Sequence, residues 1–315
     1  MNTKRLGSNG PEISVIGYGA WELGGAWGTN PPEDEMIGAI RAGFDAGITW
    51  VDTAEVYGNG SSEEIVSRAL DGYPDVLVFT KVAPKPNGSG FDRDGVRAGC
   101  EASLKRLGRD VVDLYQCHWP DENVPLEETW SAMAQLVDDG LVRWIGVSNF
   151  NAEQIERCEK IRHVDSLQPQ FSILHRGPGD ELLPFCARNG TGVIAYGPLA
   201  FGLLTGAVTM ETTFEDGDWR ANLEGNAWKN LFQPSVREKH LQLVGALRPI
   251  ADRKQVSLAE LALAWVWHQP GVTGAIAGTR RASHVRDNAK AGDLVLSEQD
   301  LAEIGEVIAR AAVTE

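Results

Sequence analysis

Four side chains in the N-terminal half of the chain form a group that could move protons: Asp52, Tyr57, Lys81 and His118. A phenol has a pKa of about 10, so Tyr57 needs a fixed cation that lowers this pKa before it exchanges protons efficiently near neutral pH. Lys81 is the candidate cation, and Asp52 would hold it charged against desolvation. His118 would orient a carbonyl oxygen or relay a proton. The group therefore predicts acid–base chemistry at a carbonyl or an alcohol.

Other chemistries fit these residues less well. A metal centre would use Asp52 and His118, but the charge of Lys81 would compete with a metal ion and the chain has no H-E-x-x-H motif. We therefore expect no metal. A glycosidase needs two facing carboxylates, and only Asp52 lies at a predicted strand end. A Schiff-base aldolase with Lys81 as its nucleophile stays open.

Short β-branched apolar runs alternate with longer amphipathic stretches along the chain, a pattern typical of βα units and a parallel sheet. The predicted strands are 15–19, 49–53, 76–81, 113–118, 144–148, 166–170, 192–196 and 274–278. The predicted helices are 33–46, 61–70, 92–107, 125–140, 151–160, 178–189, 235–267 and 281–290. Eight strands with eight helices predict an α/β fold of the closed (β/α)8 type, a TIM barrel.

Three further features accompany the barrel pattern. Residues 4–14 alternate around Asn9-Gly10 and predict an N-terminal β-hairpin that closes the barrel bottom. The aromatic stretch 198–234, after strand seven, is longer than an ordinary connection and predicts a lid loop. Residues 297–311 predict an extra C-terminal helix. No linker or internal repeat divides the 315 residues, so we expect one domain over 1–315.

The chemistry of such a barrel lies at the carboxyl ends of its strands. Polar residues end most of the predicted strands, at Asp52, Lys81, His118, Ser148, Asn149, Gln170, Tyr196 and Thr279. An ordinary polar rim would explain any one of them but not the consistency of the set. Arg280 and Arg281 then open a helix, where a phosphate binds well, and suggest a site for the 2′-phosphate of an adenosine. The Rossmann glycine fingerprint is absent.

Charge and composition restrict the partners. The net charge of −15 disfavours nucleic acid and anionic membranes. No apolar run approaches the roughly 20 residues of a membrane span, and the N-terminus lacks an apolar signal region. The 4 cysteines form no C-x-x-C pair and are expected to be reduced. We expect a cytoplasmic protein, a monomer or a homo-oligomer, that acts on a small molecule.

Residues 47–58 (GITWVDTAEVYG), with Lys81, His118 and residues 146–150 (GVSNF), resemble the aldo-keto reductase superfamily over the whole chain. Residues 171–176 and 196–206 resemble its bacterial inositol-operon and sugar-type branch, which is related more distantly to potassium-channel β subunits. The resemblance implies NADP(H)-dependent reduction of an aldehyde or ketone, sugar-like or aromatic. It also implies a catalytic tetrad of Asp52, Tyr57, Lys81 and His118, with Tyr57 as general acid.

The resemblance implies cofactor-binding residues as well. Ser148, Asn149 and Gln170 would hold the nicotinamide carboxamide, and Tyr196 would stack on the ring. The loop after strand seven would contribute Gly197, Pro198, Leu199, Gly202 and Leu204. Of these, Leu199, Gly202 and Leu204 would lie along the pyrophosphate. The adenosine end would be bound by Gly278, Thr279, Arg280, His284, Asp287 and Asn288. Arg280 is expected on the 2′-phosphate, which favours NADPH over NADH.

The substrate pocket is expected to be walled by Trp21, Trp119, Trp219 and Trp228, which suit apolar carbonyls or sugar faces. His284 and Phe201 depart from the residues that relatives often carry at the cofactor. The alternative function is an NADPH-binding regulatory or sensor subunit with little turnover, as in channel β subunits. Substrate and direction of reaction stay open.

Overall fold

A computed structural model of the chain describes residues 1–85, 90–224 and 228–311. The strands are β1 Thr3–Arg5, β2 Glu12–Ser14, β3 Ile16–Gly19, β4 Trp50–Asp52, β5 Leu77–Val82, β6 Val112–Cys117, β7 Val142–Ser148, β8 Ser166–Gln168, β9 Gly192–Ala195 and β10 Gly274–Gly278. The helices are α1 Glu33–Asp45, α2 Ser61–Ala69, α3 Arg93–Leu107, α4 Leu126–Asp138, α5 Ala152–Glu159, α6 Leu182–Asn189, α7 Lys229–Phe232, α8 Pro234–Lys254, α9 Leu258–His268, α10 Ala282–Lys290 and α11 Glu298–Arg310.

Strands β3 to β10 form a closed parallel barrel in chain order, with β10 beside β3. The predicted (β/α)8 barrel is confirmed. The register pairs Lys81 of β5 with Gln116 of β6, and Gln116 with Gly146 of β7. All carboxyl ends of the strands therefore meet at one rim, where the loops that follow them can build a shared site.

The N-terminal hairpin β1–β2 is confirmed and closes the opposite end of the barrel. Its side chains Leu6 and Ile13 are fully buried and pack with Trp50 and Leu114 of the barrel interior. The indole of Trp50 donates a hydrogen bond to the Ser14 carbonyl at 2.8 Å. The lower half of the barrel is thus a packed apolar core.

Two predicted element boundaries differ from the structure. The predicted helix 235–267 is two helices, because Gln255 has a left-handed φ of 58° that ends α8 and Ser257 begins α9 with a capping box to Glu260. Strand β8 ends at Gln168, two residues before the predicted end. Pro169 follows it and has no N–H to donate to a neighbouring strand.

The extra C-terminal helix is confirmed as α11, which begins with a capping box between Ser297 and Asp300. It packs on α8, where Lys254 lies 2.6 Å from Asp300. Within residues 1–85, 90–224 and 228–311, no helix has both the length and the apolar character that crossing a bilayer requires. The 4 cysteines are free and buried, and burial raises the pKa of Cys100, Cys158 and Cys186 to about 12.

The long connection after β9 crosses the mouth of the barrel. It contains a 3-10 turn at Ala200–Thr205 and the short α7, and residues 225–227 of it lie outside the described residues. Asp218 pairs with Trp27 as an antiparallel bridge, and the Trp219 N–H donates to the Ala26 carbonyl at 3.0 Å. The predicted lid loop is therefore attached to the loop that follows β3.

The segment between α10 and α11 is attached to α9 through His268. Its Nδ1 donates to the Ala264 carbonyl at 2.7 Å, and its Nε2 accepts the Leu296 N–H at 3.0 Å. The second bond needs a neutral imidazole, because a protonated Nε2 cannot accept, and burial lowers the pKa of His268 below 6.5. A histidine whose folded pKa is depressed stabilises the fold above its unfolded pKa, and this contribution is lost as the pH falls below that value.

We therefore expect the urea midpoint of unfolding to decrease when the pH is lowered from about 7.5 to about 5. The decrease should be smaller in His268→Gln, because glutamine keeps a neutral donor and a neutral acceptor at both pH values. Unfolding followed by tryptophan fluorescence measures both. An equal loss in the two proteins would show that His268 carries none of this pH dependence.

Candidate active site

A buried ion pair lies at the rim end of the barrel interior. Lys81 Nζ donates to Asp52 Oδ1 at 2.6 Å and to the Thr53 carbonyl at 2.8 Å. Lys81 is 0% and Asp52 3% exposed. Burial lowers the pKa of Lys81, and the Asp52 carboxylate opposes this shift. Asp52 thus lies where the sequence predicts it, in position to keep the ammonium charged.

Tyr57 reaches this pair from the 3-10 turn Tyr57–Gly60 that follows β4. The turn folds back because Gly58 and Asn59 have left-handed φ values of 58° and 53°. Lys81 Nζ donates to Tyr57 Oη at 3.3 Å. Desolvation of the hydroxyl, and then Asp52, raise the pKa of Tyr57 well above 10. We expected Lys81 to lower this pKa, but its charge is already balanced by Asp52, so Tyr57 keeps its proton.

His118 follows β6 on the other side of Tyr57. Its ring centroid lies 5.6 Å from that of Tyr57, and Trp119 stacks on the imidazole at 3.7 Å with an interplanar angle of 9°. Burial, and then the Lys81 charge, lower the pKa of His118 well below 6.5. The imidazole is therefore neutral at physiological pH and suits a hydrogen bond to a substrate oxygen better than storage of a proton.

A cleft of about 1270 Å³ extends from Asp52, Tyr57 and His118 across the rim to the start of α10. Thirteen of the predicted cofactor residues line it: Ser148, Asn149, Tyr196, Gly197, Pro198, Leu199, Gly202, Gly278, Thr279, Arg280, His284, Asp287 and Asn288. Two others do not. Leu204 is buried in the core, and the Gln170 side-chain carbonyl accepts a hydrogen bond from the Trp228 indole at 3.0 Å.

The polar side chains nearest the four residues are fixed by their neighbours. Asn149, in a left-handed conformation with φ 63°, donates from Nδ2 to the His118 carbonyl at 3.1 Å. Its Oδ1 accepts from Tyr196 Oη at 2.9 Å. Ser148 Oγ donates to the Gln168 carbonyl at 2.9 Å. These groups need little reordering to receive a ligand, which lowers the entropic cost of binding.

Two functional candidates were missed by the sequence reasoning. Gln168 lines the cleft and donates from Nε2 to Asp52 Oδ2 at 2.8 Å. Gln116 lies behind it, with its Nε2 at 3.5 Å from the same oxygen. Neither glutamine is the last residue of a predicted strand. Both glutamines stand two residues before a predicted end, at His118 and Gln170, so strand alternation places them on the inner face.

The far end of the cleft contains the two arginines. Arg280 Nη1 donates to the Thr29 carbonyl and Asn30 Oδ1, both at 3.0 Å, and Nη2 donates to the Trp27 carbonyl at 2.9 Å. This guanidinium therefore anchors the loop after β3 to the end of β10. The neighbouring Arg281 lines the cleft with an exposed side chain at the start of α10.

Aromatic side chains wall the cleft beside Tyr57. Of the predicted set, Trp21, Trp119 and Trp228 line it, whereas Trp219 lies behind them, stacked on Trp21 with ring centroids 6.0 Å apart. Two further aromatic residues, Trp27 and Phe201, also line the cleft. The sequence did not single out these two as pocket residues, because aromatic side chains in loops pack against the fold as readily as they bind ligands.

Removal of Lys81 leaves a buried carboxylate without its cation, which costs about 3–5 kcal/mol. We expect Lys81→Met to lower the free energy of unfolding by that amount and the double variant Lys81→Met/Asp52→Asn to recover most of it. Urea unfolding measures both, and the exposed Lys105→Met is the matched control, expected within about 0.5 kcal/mol of wild type. A loss in Lys81→Met no larger than in this control would contradict the ion pair.

The model of the aldo/keto reductase family matches residues 15–309 of the chain. Among curated relatives, the aldo-keto reductase YhdN of Bacillus subtilis is 36% identical, covering 98% of this chain and 94% of the relative. A probable voltage-gated potassium channel subunit beta of Arabidopsis thaliana is 35% identical, covering 94% of this chain and 92% of the relative.

Solved structures agree with these relatives. The glycerol dehydrogenase of Gluconobacter oxydans superimposes with a TM-score of 0.87 at 31% identity, covering 99% of this chain and 97% of that one. An aldo/keto reductase of Klebsiella pneumoniae in complex with NADP and acetate superimposes with a TM-score of 0.76 at 31% identity, covering 98% of this chain and 96% of that one. The tetrad geometry, the barrel and the match over residues 15–309 lead to one conclusion: the chain belongs to the aldo/keto reductase family.

Proposed function

We propose that the protein is an NADPH-dependent oxidoreductase that reduces an aldehyde or ketone to the alcohol, with Tyr57 as general acid. One observation carries this proposal. Lys81 Nζ bonds Asp52 Oδ1 at 2.6 Å and Tyr57 Oη at 3.3 Å, and Tyr57 and His118 both line the cleft. A proton donor with an adjacent fixed cation is the arrangement that carbonyl reduction requires.

The cofactor is NADP(H), which the family and the NADP complex of the Klebsiella relative support. The cleft fits this group in size and in chemistry. Oriented hydroxyl and amide groups of Ser148 and Asn149 suit a carboxamide, and the Tyr196 ring borders the same region. Arg281 and the first turn of α10 suit a phosphate at the far end. Gln168 takes the carboxamide role predicted for Gln170, because Gln168 lines the cleft.

Bound NADPH supplies a hydride to the carbonyl carbon. Tyr57 Oη gives its proton to the carbonyl oxygen, and the Lys81 ammonium stabilises the phenolate that results. Asp52 keeps Lys81 charged during this step. The neutral His118 hydrogen-bonds the same substrate oxygen and orients it. In the reverse direction the Tyr57 phenolate accepts the proton of an alcohol, so the ratio of reduced to oxidised cofactor decides the direction.

The substrate class follows from the walls of the cleft. Trp21, Trp119 and Trp228 present aromatic surface beside Tyr57, which suits aromatic carbonyls or the apolar faces of sugar-like ones. Trp119 is 40% exposed and lies on His118, so it would contact the group attached to the carbonyl carbon. We therefore propose aromatic or sugar-like aldehydes and ketones as substrates.

A second function, an NADPH-binding sensor subunit with little turnover, is favoured by the 35% identity to the probable channel subunit beta of Arabidopsis. It would retain cofactor binding but transfer hydride to no carbonyl. The complete tetrad supports the reductase, because a sensor has no need of a proton donor at the floor of the cleft.

We expect Tyr57→Phe to reduce carbonyl turnover by about 10²–10⁴-fold, since the variant lacks the proton donor, and to bind NADPH within about twofold of wild type. The loss of the reduced nicotinamide absorbance at about 340 nm measures turnover, and quenching of tryptophan fluorescence measures NADPH binding. Tyr73→Phe, which removes a tyrosine hydroxyl that bonds Asp45 outside the cleft, is the matched control and should leave both quantities unchanged. Normal turnover in Tyr57→Phe would remove Tyr57 from the mechanism.

We expect Arg281→Ala to weaken NADPH about tenfold more than NADH, because its exposed guanidinium is available to the 2′-phosphate. Arg280→Ala, whose guanidinium anchors the loop after β3, should weaken both cofactors similarly. Titration of tryptophan fluorescence with each cofactor measures the four affinities. A selective loss of NADPH in Arg280→Ala alone would assign the phosphate to Arg280, as the sequence predicts.

A further inference from the structure

Polar side chains replace the usual apolar packing directly beneath the active-site rim. The interior of a TIM barrel is filled by layers of bulky side chains from alternate strands. Here the alternate strands β4, β6 and β8 contribute Asp52, Gln116 and Gln168 to one cluster, at 3%, 0% and 3% exposure. The hydride transfer proposed above gives no task to Gln116.

The two glutamines occupy the side of Asp52 that Lys81 leaves free. Lys81 donates to Oδ1, whereas Gln168 Nε2 at 2.8 Å and Gln116 Nε2 at 3.5 Å donate to Oδ2. Gln168 Nε2 also lies 3.4 Å from Gln116 Oε1, so its two hydrogens have two acceptors. Gly146 leaves room for this arrangement, because a Cβ there would lie 3.3 Å from Gln116 Cγ.

Hydrogen-bond donors on both carboxylate oxygens of Asp52 influence whether the proton of the buried pair resides on Lys81 or on Asp52. In a low-dielectric interior, a lysine and an aspartate can exist as an ion pair or as a neutral amine and acid. Hydrogen bonds to the carboxylate favour the ion pair, and an amide provides them at every pH because it does not ionise. Loss of one amide donor from Oδ2 would therefore raise the population of the neutral pair, in which the proton resides on Asp52 instead of Lys81.

We propose that Gln116 and Gln168 form an amide bracket that keeps Asp52 ionised and thereby keeps the proton on Lys81 beside Tyr57, with Gln116 as a positioning residue. The inference rests on the proposed function for its kinetic readout. It assigns a role to two uncharged residues outside the tetrad.

The other charged groups around the pair do not replace the bracket. Tyr57 and His118 face Lys81 from the cleft, where Tyr57 keeps its proton and His118 is neutral. Glu63 of α2 approaches from behind, but its Oε2 is bound by Arg106 at 2.6 Å and its Oε1 by Thr80 at 2.6 Å. Asp52 is therefore the carboxylate that bonds Lys81, and the glutamines cover the oxygen of Asp52 that Lys81 does not bond.

The kinetic test uses Gln116→Met, because Gln116 does not line the cleft and methionine keeps its length. The amide stabilises the ion pair and the fully deprotonated pair equally, but not the neutral pair. We therefore expect the plateau of kcat to fall roughly fivefold. The apparent acid dissociation constant of the alkaline limb should fall by the same factor, which moves this limb to higher pH. The two profiles should merge at high pH, with the KM of the carbonyl and the Kd of NADPH within about twofold of wild type.

Two further variants keep this test decisive. Ser166→Ala removes a buried hydroxyl of β8 that makes no hydrogen bond to any of these groups, and it should leave the profile unchanged. Gln116→Glu has the shape of the native residue and places a second carboxyl near Oδ2, so it should lower the plateau further. An unshifted limb in both Gln116 variants, a change in KM alone, or an equal change in Ser166→Ala would overturn the bracket.

Infrared spectroscopy tests the proton position without turnover. Gln116→Met should show the carbonyl band of a protonated carboxylic acid at neutral pH that wild type lacks, and Asp52→Asn in the same background should remove it. Absence of this band in Gln116→Met would contradict the proposal. If wild type reduces no carbonyl, the proposed function fails, and the infrared result still decides the position of the proton.

Discussion

The contact between the Lys81 ammonium and the Asp52 carboxylate is the interaction on which the active site depends. Two charges inside a barrel lose their hydration, and their attraction repays this cost only with good geometry and with donors on the remaining lone pairs. The structure meets both conditions, with 2.6 Å between Nζ and Oδ1 and glutamine amides on Oδ2. In the proposed mechanism, a charged Lys81 at this depth gives the Tyr57 hydroxyl a cation that stabilises its conjugate base.

The fold explains how these charges come together. Neighbouring parallel strands bring Asp52 of β4 and Lys81 of β5 to one rim, and the turn after β4 returns Tyr57 to the same point. The hairpin fills the opposite end with apolar side chains, whereas the cleft lies at the rim. The lid after β9 bonds to the loop after β3, which Arg280 also anchors. The aromatic walls of the cleft and its far end at Arg280 therefore share one supporting loop.

Much of this arrangement could be predicted from the sequence, because it depends on periodicity. The alternation of strands and helices predicts the barrel, and polar residues at strand ends indicate the rim. The prediction of Gln170 as a cofactor residue assumes that β8 continues to residue 170. Pro169 ends β8 early, so the side chain that lines the cleft is Gln168. The run Arg280-Arg281 does not indicate which guanidinium bonds the Thr29 carbonyl, which lies 251 residues earlier in the chain. Long-range contacts of this kind, and the balance of desolvation against charge at Tyr57, need coordinates.

The transfer of a labelled hydride tests the central claim most directly. NADPH that carries deuterium at the transferable position of its nicotinamide would be mixed with the protein and a panel of aromatic aldehydes and keto-sugars, and the products would be examined by mass spectrometry. The account predicts an alcohol that carries the deuterium on the former carbonyl carbon. Tight binding of NADPH, seen as quenching of tryptophan fluorescence, with no labelled alcohol from any carbonyl would contradict it and favour the sensor function.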